Sequence, residues 1–284
     1  MERFFLVANA AMEVSSDRPI TVSRQWRLFE TTSVRPALRY RVCHVPELPQ
    51  LTGRLLFDNG RVRVFDENGR QSRIYTDTVT GKETVAVREG ENACWEIAVQ
   101  EELLPWGTDV SDLFVQYGLP RRLPQQGKLL LHCAYILYNG RAILFTAPSG
   151  TGKTTQAKLW QRSMGSRIVN GDRAAIGMEG GIVTAYGLPI SGTSPDCENV
   201  TAPVAAIVSL SQAKENRVTR LRAASAVKPL LSGTYLPPEF AQDLPLLVDL
   251  AASLAARIPV LHLQCLPDDS AVQALAAMID EITQ

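Results

Sequence analysis

The chain has 284 residues, enough for one large core or two smaller ones, and a change of pattern near its middle favours two. Its 29 basic and 29 acidic side chains cancel, which argues against nucleic acid or an anionic membrane as a partner. The five cysteines lack C-x-x-C spacing, and neither a hydrophobic leader nor an apolar run of about 18 residues occurs, so we expect a cytoplasmic protein without a transmembrane span.

The sequence pattern of residues 1–118 predicts a smaller, β-rich N-terminal domain. Short β-prone runs alternate with turn residues, and the pairs Asn59-Gly60 and Asn68-Gly69 are typical of two-residue hairpin turns with positive φ at both positions. We therefore expect an antiparallel meander. Its predicted strand regions are 1–11, 55–57, 62–65, 84–87 and 94–99.

After residue 106 the sequence no longer shows the alternation of β-prone runs and turn residues. A short helix is predicted over 109–117, stopped at Gly118. The stretch 119–127 holds two prolines, two arginines and a closing glycine, and we interpret it as a linker. The domain could recognise a substrate or serve as a structural cover. Its tryptophans favour packing over a ligand platform. They are Trp26, Trp95 and Trp106.

Residues 128–284 predict an α/β domain with a sheet and crossover helices, because strands now alternate with helical stretches. Asn139-Gly140 marks a hairpin, and the apolar run 203–210 is typical of a buried strand. The other predicted strands are 129–137, 141–145, 168–169, 174–176 and 260–265. The predicted helices are 156–162, 223–231, 238–256 and the tail from Asp268, whose core positions are Ala271, Leu275, Met278 and Ile282.

The segment 147–155, Ala-Pro-Ser-Gly-Thr-Gly-Lys-Thr-Thr, indicates a phosphate-binding loop, although its first position is alanine where the pattern has glycine. Gly150 and Gly152 let several backbone N–H groups face one point beside the positive end of the next helix. Lys153 would reach the β- and γ-phosphates, and the Thr154 hydroxyl would hold Mg²⁺. The predicted nucleotide contacts are Ser149, Gly150, Thr151, Gly152, Lys153, Thr154 and Thr155.

Phosphoryl transfer also needs a carboxylate near the metal and a group that orients or deprotonates the acceptor. Asp172 is the first candidate, because it follows the predicted strand 168–169 directly after the loop's own helix. It could equally be an ordinary turn aspartate. His132 is the second candidate, and a buried structural histidine is the alternative. Arg173 could neutralise charge on the transferred group or lie at the surface.

Together these residues resemble the C-terminal catalytic domain of the HPr kinase/phosphorylase family. The pattern is His132 on a strand, an Asn-Gly turn, a phosphate loop that starts fifteen residues after this histidine, and a short strand ending in an aspartate motif. The closing stretch 263–272 is similar to the ends of related kinases, so the resemblance covers about 128–284. It implies a nucleotide-binding fold shared more distantly with phosphoenolpyruvate carboxykinase, ATP and Mg²⁺ as cofactors, and phosphorylation of a serine in a protein or peptide, or of free serine.

The chain departs from this family at one catalytic position. The family has an adjacent aspartate pair, whereas here Gly171 takes the first place and leaves Asp172 alone. Asp172 could hold the metal with Thr154 while His132 handles the proton, or Asp172 could be the base. The family's signature residues are not recognisable between 179 and 202, which favours a divergent relative.

Two other functions stay open. One is a phosphoenolpyruvate carboxykinase-like enzyme, which shares the string at 149–155 but is much longer. The other is a nucleotide-binding scaffold without transferase activity. The hydroxyl-rich loop 187–194 could close on a substrate or be a surface connection. The acceptor is not named by any motif, and the resemblance is compatible with a homo-oligomer.

Overall fold

The protein is described by a computed structural model over residues 1–32, 35–101, 109–110 and 118–283. These residues divide into two units. The first unit is Met1–Leu119 with Pro237–Ala241, and the second is Pro120–Leu236 with Gln242–Gln284. No helix in the described ranges has the length and apolar character needed to cross a membrane.

The first unit is built on a sheet to which nine strands of the described residues belong. The strands are β1 (Glu2–Val7), β2 (Ala10–Ser16), β3 (Glu30–Thr31), β4 (Leu38–Val45), β5 (Arg54–Asp58), β6 (Val62–Glu67), β7 (Arg70–Thr76), β8 (Glu83–Glu89) and β9 (Cys94–Gln100), with the short helix α1 (Arg24–Arg27) after β2. Their order is β3-β1-β2-β4-β9-β8-β7-β6-β5.

The prediction of a simple antiparallel meander is only partly right. Strands β5 to β9 follow one another as antiparallel neighbours, as expected. However, β4 lies between β2 and β9 and pairs with both in parallel. Parallel neighbours need a crossover connection, and the hairpin signals in a sequence report only strands that are joined by a tight turn.

The three Asn-Gly pairs that were interpreted as hairpin turns differ from one another. Asn68-Gly69 and Asn139-Gly140 have positive φ at both residues, as the two-residue hairpin requires. At Asn59-Gly60 only the glycine has positive φ, because the connection between β5 and β6 is longer. The Asn59 side-chain oxygen there accepts from the N–H groups of Arg61 and Val62.

The tryptophans of the described residues in the first unit serve as packing residues, as the sequence analysis expects. Trp26 and Trp95 are both buried, and Trp95 lies on β9. The Arg73 guanidinium lies 4.6 Å from the centre of the Trp95 ring. Trp106 and most of the helix predicted over 109–117 lie outside the described residues.

The second unit combines a sheet with helices on both faces. Its strands are β10 (Lys128–Tyr138), β11 (Arg141–Thr146), β12 (Arg167–Asn170), β13 (Arg173–Glu179), β14 (Ile182–Tyr186), β15 (Thr201–Gln212), β16 (Arg217–Arg220) and β17 (Val260–Cys265). The remaining described helices are α2 (Leu119–Gln125), α3 (Lys153–Met164), α4 (Ala223–Gly233), α5 (Leu244–Ala255) and α6 (Asp269–Thr283). A 3₁₀ helix at Pro238–Asp243 begins in the part of the chain that belongs to the first unit and ends in the second.

The sheet of this unit is mixed. Within the described part of the chain its order is β11-β10-β13-β14-β15-β17-β16, with β12 paired to β10. Strand β11 is antiparallel to β10 and parallel to β15, which is itself parallel to β17. The sequence pattern does not predict β14 and β16, which have five and four residues.

Two stretches differ in local structure from what their sequences suggest. The stretch interpreted as a linker is largely helical, because Leu119 and Leu123 lie one helical turn apart and are both buried, and Pro120 sits in the first turn where its missing N–H is tolerated. The block predicted over 238–256 is helical but divided, since Pro238–Asp243 is a 3₁₀ helix in which Phe240 has non-helical φ and ψ, and α5 begins at Leu244.

Two hydrophobic clusters cover the sheet of the second unit. One joins the sheet to α4 and α5 through residues such as Leu230 and Leu247, and the other joins it to α3 and α6 through Trp160 and Leu275. This is the layered arrangement expected of an α/β fold. The apolar stripe predicted for the tail helix is confirmed, because two of its four positions are fully buried and the other two pack partly buried against the second cluster.

Candidate functional site

A cavity of about 520 Å³ lies in the second unit, where the glycine-rich loop (residues 147–155) meets the turn after β12. It brings together residues that are far apart in the sequence, because β10 pairs with both β11 and β12. The lining residues are His132, Ser149, Gly150, Gly152, Lys153, Thr154, Thr155, Lys158, Gly171, Asp172, Ser191, Thr193, Ser194, Pro195 and Asp196.

The glycine-rich loop has the backbone conformation that its glycines predict. Gly150 and Gly152 have φ of 78° and 119°, and no atom lies within 4 Å of where a Cβ would stand on either residue. Both positions therefore need glycine for conformation and leave open space beside the backbone. Ala147 is not among the residues with positive φ, so alanine is accommodated at the first position without strain.

Lys153 opens α3 and folds back over the loop. Its Nζ donates to the carbonyl oxygens of Ala147 at 2.8 Å and Pro148 at 3.3 Å, and the residue is 8% exposed. Burial lowers the pKa of Lys153, while nearby Cys133 and Asp172 oppose this shift. The ammonium group is thus held at the loop, at a position where an anion in the cavity could bind it.

The Asp172 carboxylate stands between two basic side chains. Its Oδ1 lies 3.5 Å from His132 Nε2, and its Oδ2 lies 3.1 Å from Arg173 Nε. The Arg173 guanidinium also lies 4.3 Å from the centre of the Tyr235 ring. Arg173 does not line the cavity, so its charge is placed to act on Asp172 rather than directly on a bound group.

His132 lies on β10 and lines the cavity with its side chain 41% exposed, so it is not a buried structural histidine. Burial lowers the pKa of His132, and the positive charges of Lys153 and Arg173 lower it further, whereas Asp172 raises it. The net effect favours a neutral imidazole near neutral pH, and a neutral imidazole can accept a proton.

Asn170 is a structural residue of the site that sequence reasoning missed. It is fully buried at the end of β12, and its Oδ1 accepts from the N–H groups of Asp172 and Arg173, both at 2.9 Å. Its Nδ2 donates to the carbonyl oxygens of Leu188 at 2.9 Å and Ile190 at 3.0 Å. One side chain therefore holds both the Asp172 turn and the loop that follows β14.

The loop after β14 forms part of the cavity. Ser191 is buried, and its hydroxyl donates to the Ser194 carbonyl oxygen at 2.9 Å. Gly192 has φ of 54°, and a Cβ there would stand 3.0–3.2 Å from atoms of the Asp172 carboxylate. The loop therefore approaches Asp172 closely enough to restrict side chains at this point.

The structure gathers most of the predicted site residues at one cavity. The residues predicted to contact the nucleotide, the metal or the acceptor all line this cavity except Thr151. The hydroxyl-rich loop 187–194, for which a substrate role was one of two interpretations, contributes Ser191, Thr193 and Ser194 to the lining, whereas the sequence analysis did not name Lys158, Pro195 and Asp196. Among the described residues, no three His, Cys, Asp or Glu side chains gather closely enough to hold a metal ion by themselves.

The similarity of this chain to known proteins is distant. No protein-family model matches the chain. No curated protein matches it either. Among solved structures, the chain is similar to the Hpr(Ser) kinase/phosphatase from Coxiella burnetii, with 11% sequence identity and a TM-score of 0.32, over 55% of this chain and 99% of that chain.

Proposed function

We propose that this protein is an ATP-dependent kinase that transfers the γ-phosphoryl group to a hydroxyl with the help of Mg²⁺. The observation that carries the proposal is that the glycine-rich loop, Asp172 and His132 line the same cavity. Phosphoryl transfer requires these three components, namely a phosphate cradle, a carboxylate and a group that can take the acceptor's proton.

The residues present fit a nucleotide and a magnesium ion. The glycine-rich turn leaves open space beside backbone N–H groups, and Lys153 adds a positive charge. The Thr154 hydroxyl and the aspartate carboxylates that line the cavity are oxygen donors, which Mg²⁺ prefers, and this ion commonly completes its shell with water and phosphate oxygens. When bound, the ion would neutralise charge on the phosphate oxygens.

The protein's own groups then act in sequence. The loop N–H groups and Lys153 hold the β- and γ-phosphates and stabilise the charge that develops during transfer. The neutral His132 takes the proton from the acceptor hydroxyl, and Asp172, 3.5 Å away, stabilises the imidazolium that results. Arg173, whose Nε lies 3.1 Å from Asp172 Oδ2, holds this carboxylate in place.

The acceptor is proposed to be a serine of a protein or peptide, or a small hydroxyl metabolite. We further propose that the first unit recognises it. In support, that unit has its own cavity of about 350 Å³, whose lining includes Arg41, Arg88 and Glu96.

An Arg41→Ala variant should then raise the KM for the acceptor in steady-state kinetics and leave the affinity for ATP unchanged.

The direct test is incubation of the purified protein with γ-labelled ATP and Mg²⁺ against free serine, free threonine and serine-bearing peptides or small proteins. Transfer to one acceptor that is lost in Asp172→Asn would support a kinase and identify its substrate class. ATP binding without transfer to any acceptor would favour the nucleotide-binding scaffold instead.

A further inference from the structure

A second carboxylate, that of Asp196, lines the cavity and has no role in the phosphoryl transfer described above. Among the described lining residues, Asp172 and Asp196 are the two that carry carboxylates. Phosphoryl transfer gives a carboxylate two separate tasks, which are to hold the metal ion and to assist removal of the acceptor's proton. The contacts of the two aspartates differ in a way that separates these tasks.

Both carboxylate oxygens of Asp172 lie beside basic side chains. One of its oxygens faces His132 and the other faces Arg173. Asp196 has a different environment, because its Oδ2 accepts a hydrogen bond from the Ser194 hydroxyl at 3.1 Å, and in the described part of the chain its carboxylate forms no ion pair. The negative charge of Asp196 therefore remains available at a cavity where a cation would be attracted.

The fold holds Asp196 beside the Asp172 turn. The residues that follow Asp196 are tied to the end of β12, since Cys197 forms a β-bridge with Asn170 and the Glu198 N–H donates to the Val169 carbonyl oxygen at 3.0 Å. The Asp196 N–H donates to the Ser194 hydroxyl at 3.2 Å, which closes a tight turn around the carboxylate.

Gly171 is the residue that makes room for this arrangement. A Cβ at this position would overlap Ser194 Oγ and stand 2.6 Å from Ser194 Cβ. The space beside residue 171 is therefore occupied by the serine that holds Asp196. A larger side chain at position 171 would displace it.

We infer that Asp196 is the carboxylate that binds the nucleotide-associated metal ion, together with the Thr154 hydroxyl, and that Asp172 serves the acceptor side with His132. This inference rests on the proposed function and divides the labour between the two aspartates. It assigns a metal-binding role to a residue from the loop after β14.

The test measures ATP affinity by calorimetry with Mg²⁺ and with EDTA, in the wild type and in three variants. Asp196→Asn should reduce the enhancement of ATP affinity by Mg²⁺ at least about tenfold, and leave the affinity in EDTA unchanged or higher. Asp172→Asn should keep most of the enhancement and lose phosphoryl transfer. Glu198→Gln is the matched control, because Glu198 lies on the same segment, pairs with Arg167 and does not line the cavity.

Full Mg²⁺ enhancement in Asp196→Asn would overturn the inference, as would its loss in Asp172→Asn alone. Either result would leave the proposed function standing if the wild type transfers phosphate. A wild type that neither transfers phosphate nor binds ATP would overturn the proposed function itself. Thermal unfolding of each variant checks that the fold is kept.

Discussion

The cavity has two sides that are made in different ways. The glycine-rich loop is continuous in sequence and takes its shape from its own glycines and the start of α3. The second side, which we call the turn-and-loop wall, consists of residues 170–172 and 187–196 and is held together by Asn170. A binding motif can therefore be local while the groups that would act on its ligand depend on tertiary contacts.

This difference predicts that changes in the glycine-rich loop impair ATP binding with little loss of stability, whereas changes at the contacts that hold the turn-and-loop wall together, at Asn170, Gly171 and Ser194, impair stability and activity together. Four experiments should separate the two sides, beginning with the largest expected effect.

Replacing Lys153 with Met should lower kcat/KM for ATP by about 100-fold or more, because a charged donor aimed at the transferring phosphate is lost. Methionine keeps much of the side-chain volume, so the midpoint of thermal unfolding should move by no more than about 4 °C. Steady-state kinetics and calorimetry measure both effects. Unchanged ATP affinity in this variant would contradict the placement of the phosphates.

Replacing Asn170 with Ala should destabilise the protein by about 3 kcal/mol, because buried backbone groups of both wall segments lose their partner. Activity should fall in parallel, since Asp172 is no longer positioned. Urea denaturation measures the change, and Asn170→Asp should be at least as severe, because it places a buried carboxylate oxygen against the Leu188 and Ile190 carbonyl oxygens. Loss of activity without loss of stability would contradict the structural role.

Replacing Gly171 with Ala should destabilise the protein by about 1–3 kcal/mol through overlap with Ser194. Ser194→Gly should relieve much of this cost in the double variant, which a double-mutant cycle would detect as coupling. Ser194→Ala is the comparison, because it retains the Cβ that lies 2.6 Å from the new side chain and should give less relief. Additive effects of Gly171→Ala and Ser194→Gly would show that the overlap does not occur.

The smallest effect concerns pH. Because burial and the neighbouring cations lower the pKa of His132 below its usual 6.5, the proposed base is neutral at pH 7 and becomes protonated only at lower pH. We expect kcat/KM to be level near pH 7 and to fall as pH decreases through a midpoint below 6.5.

An NMR titration of the histidine rings would locate this midpoint directly, since the chain has three histidines and His132→Gln identifies the signal. In Lys153→Met the midpoint should move upward, because one cation that disfavours the imidazolium is removed. A midpoint at or above 6.5 in the wild type would contradict the proposed environment.

Much of the second unit could be predicted from sequence because its signals are local. The apolar run of β15, the hairpin at Asn139-Gly140 and the glycine-rich turn before α3 each depend on neighbouring residues. The parallel pairing of β4 with β2 and β9 could not be predicted in this way, because it depends on a crossover between segments that carry no mutual signal.

Local sequence patterns were sufficient to predict the glycine-rich loop, its lysine and the strand that presents His132, because glycine conformation and apolar periodicity act over a few residues. Only the tertiary structure decided that Asn170 joins two segments, that Ser194 fills the space beside Gly171, and that Asp196 reaches the same cavity as Asp172. The physical reason is that hydrogen bonds and steric contacts between distant segments form only when the sheet brings those segments together.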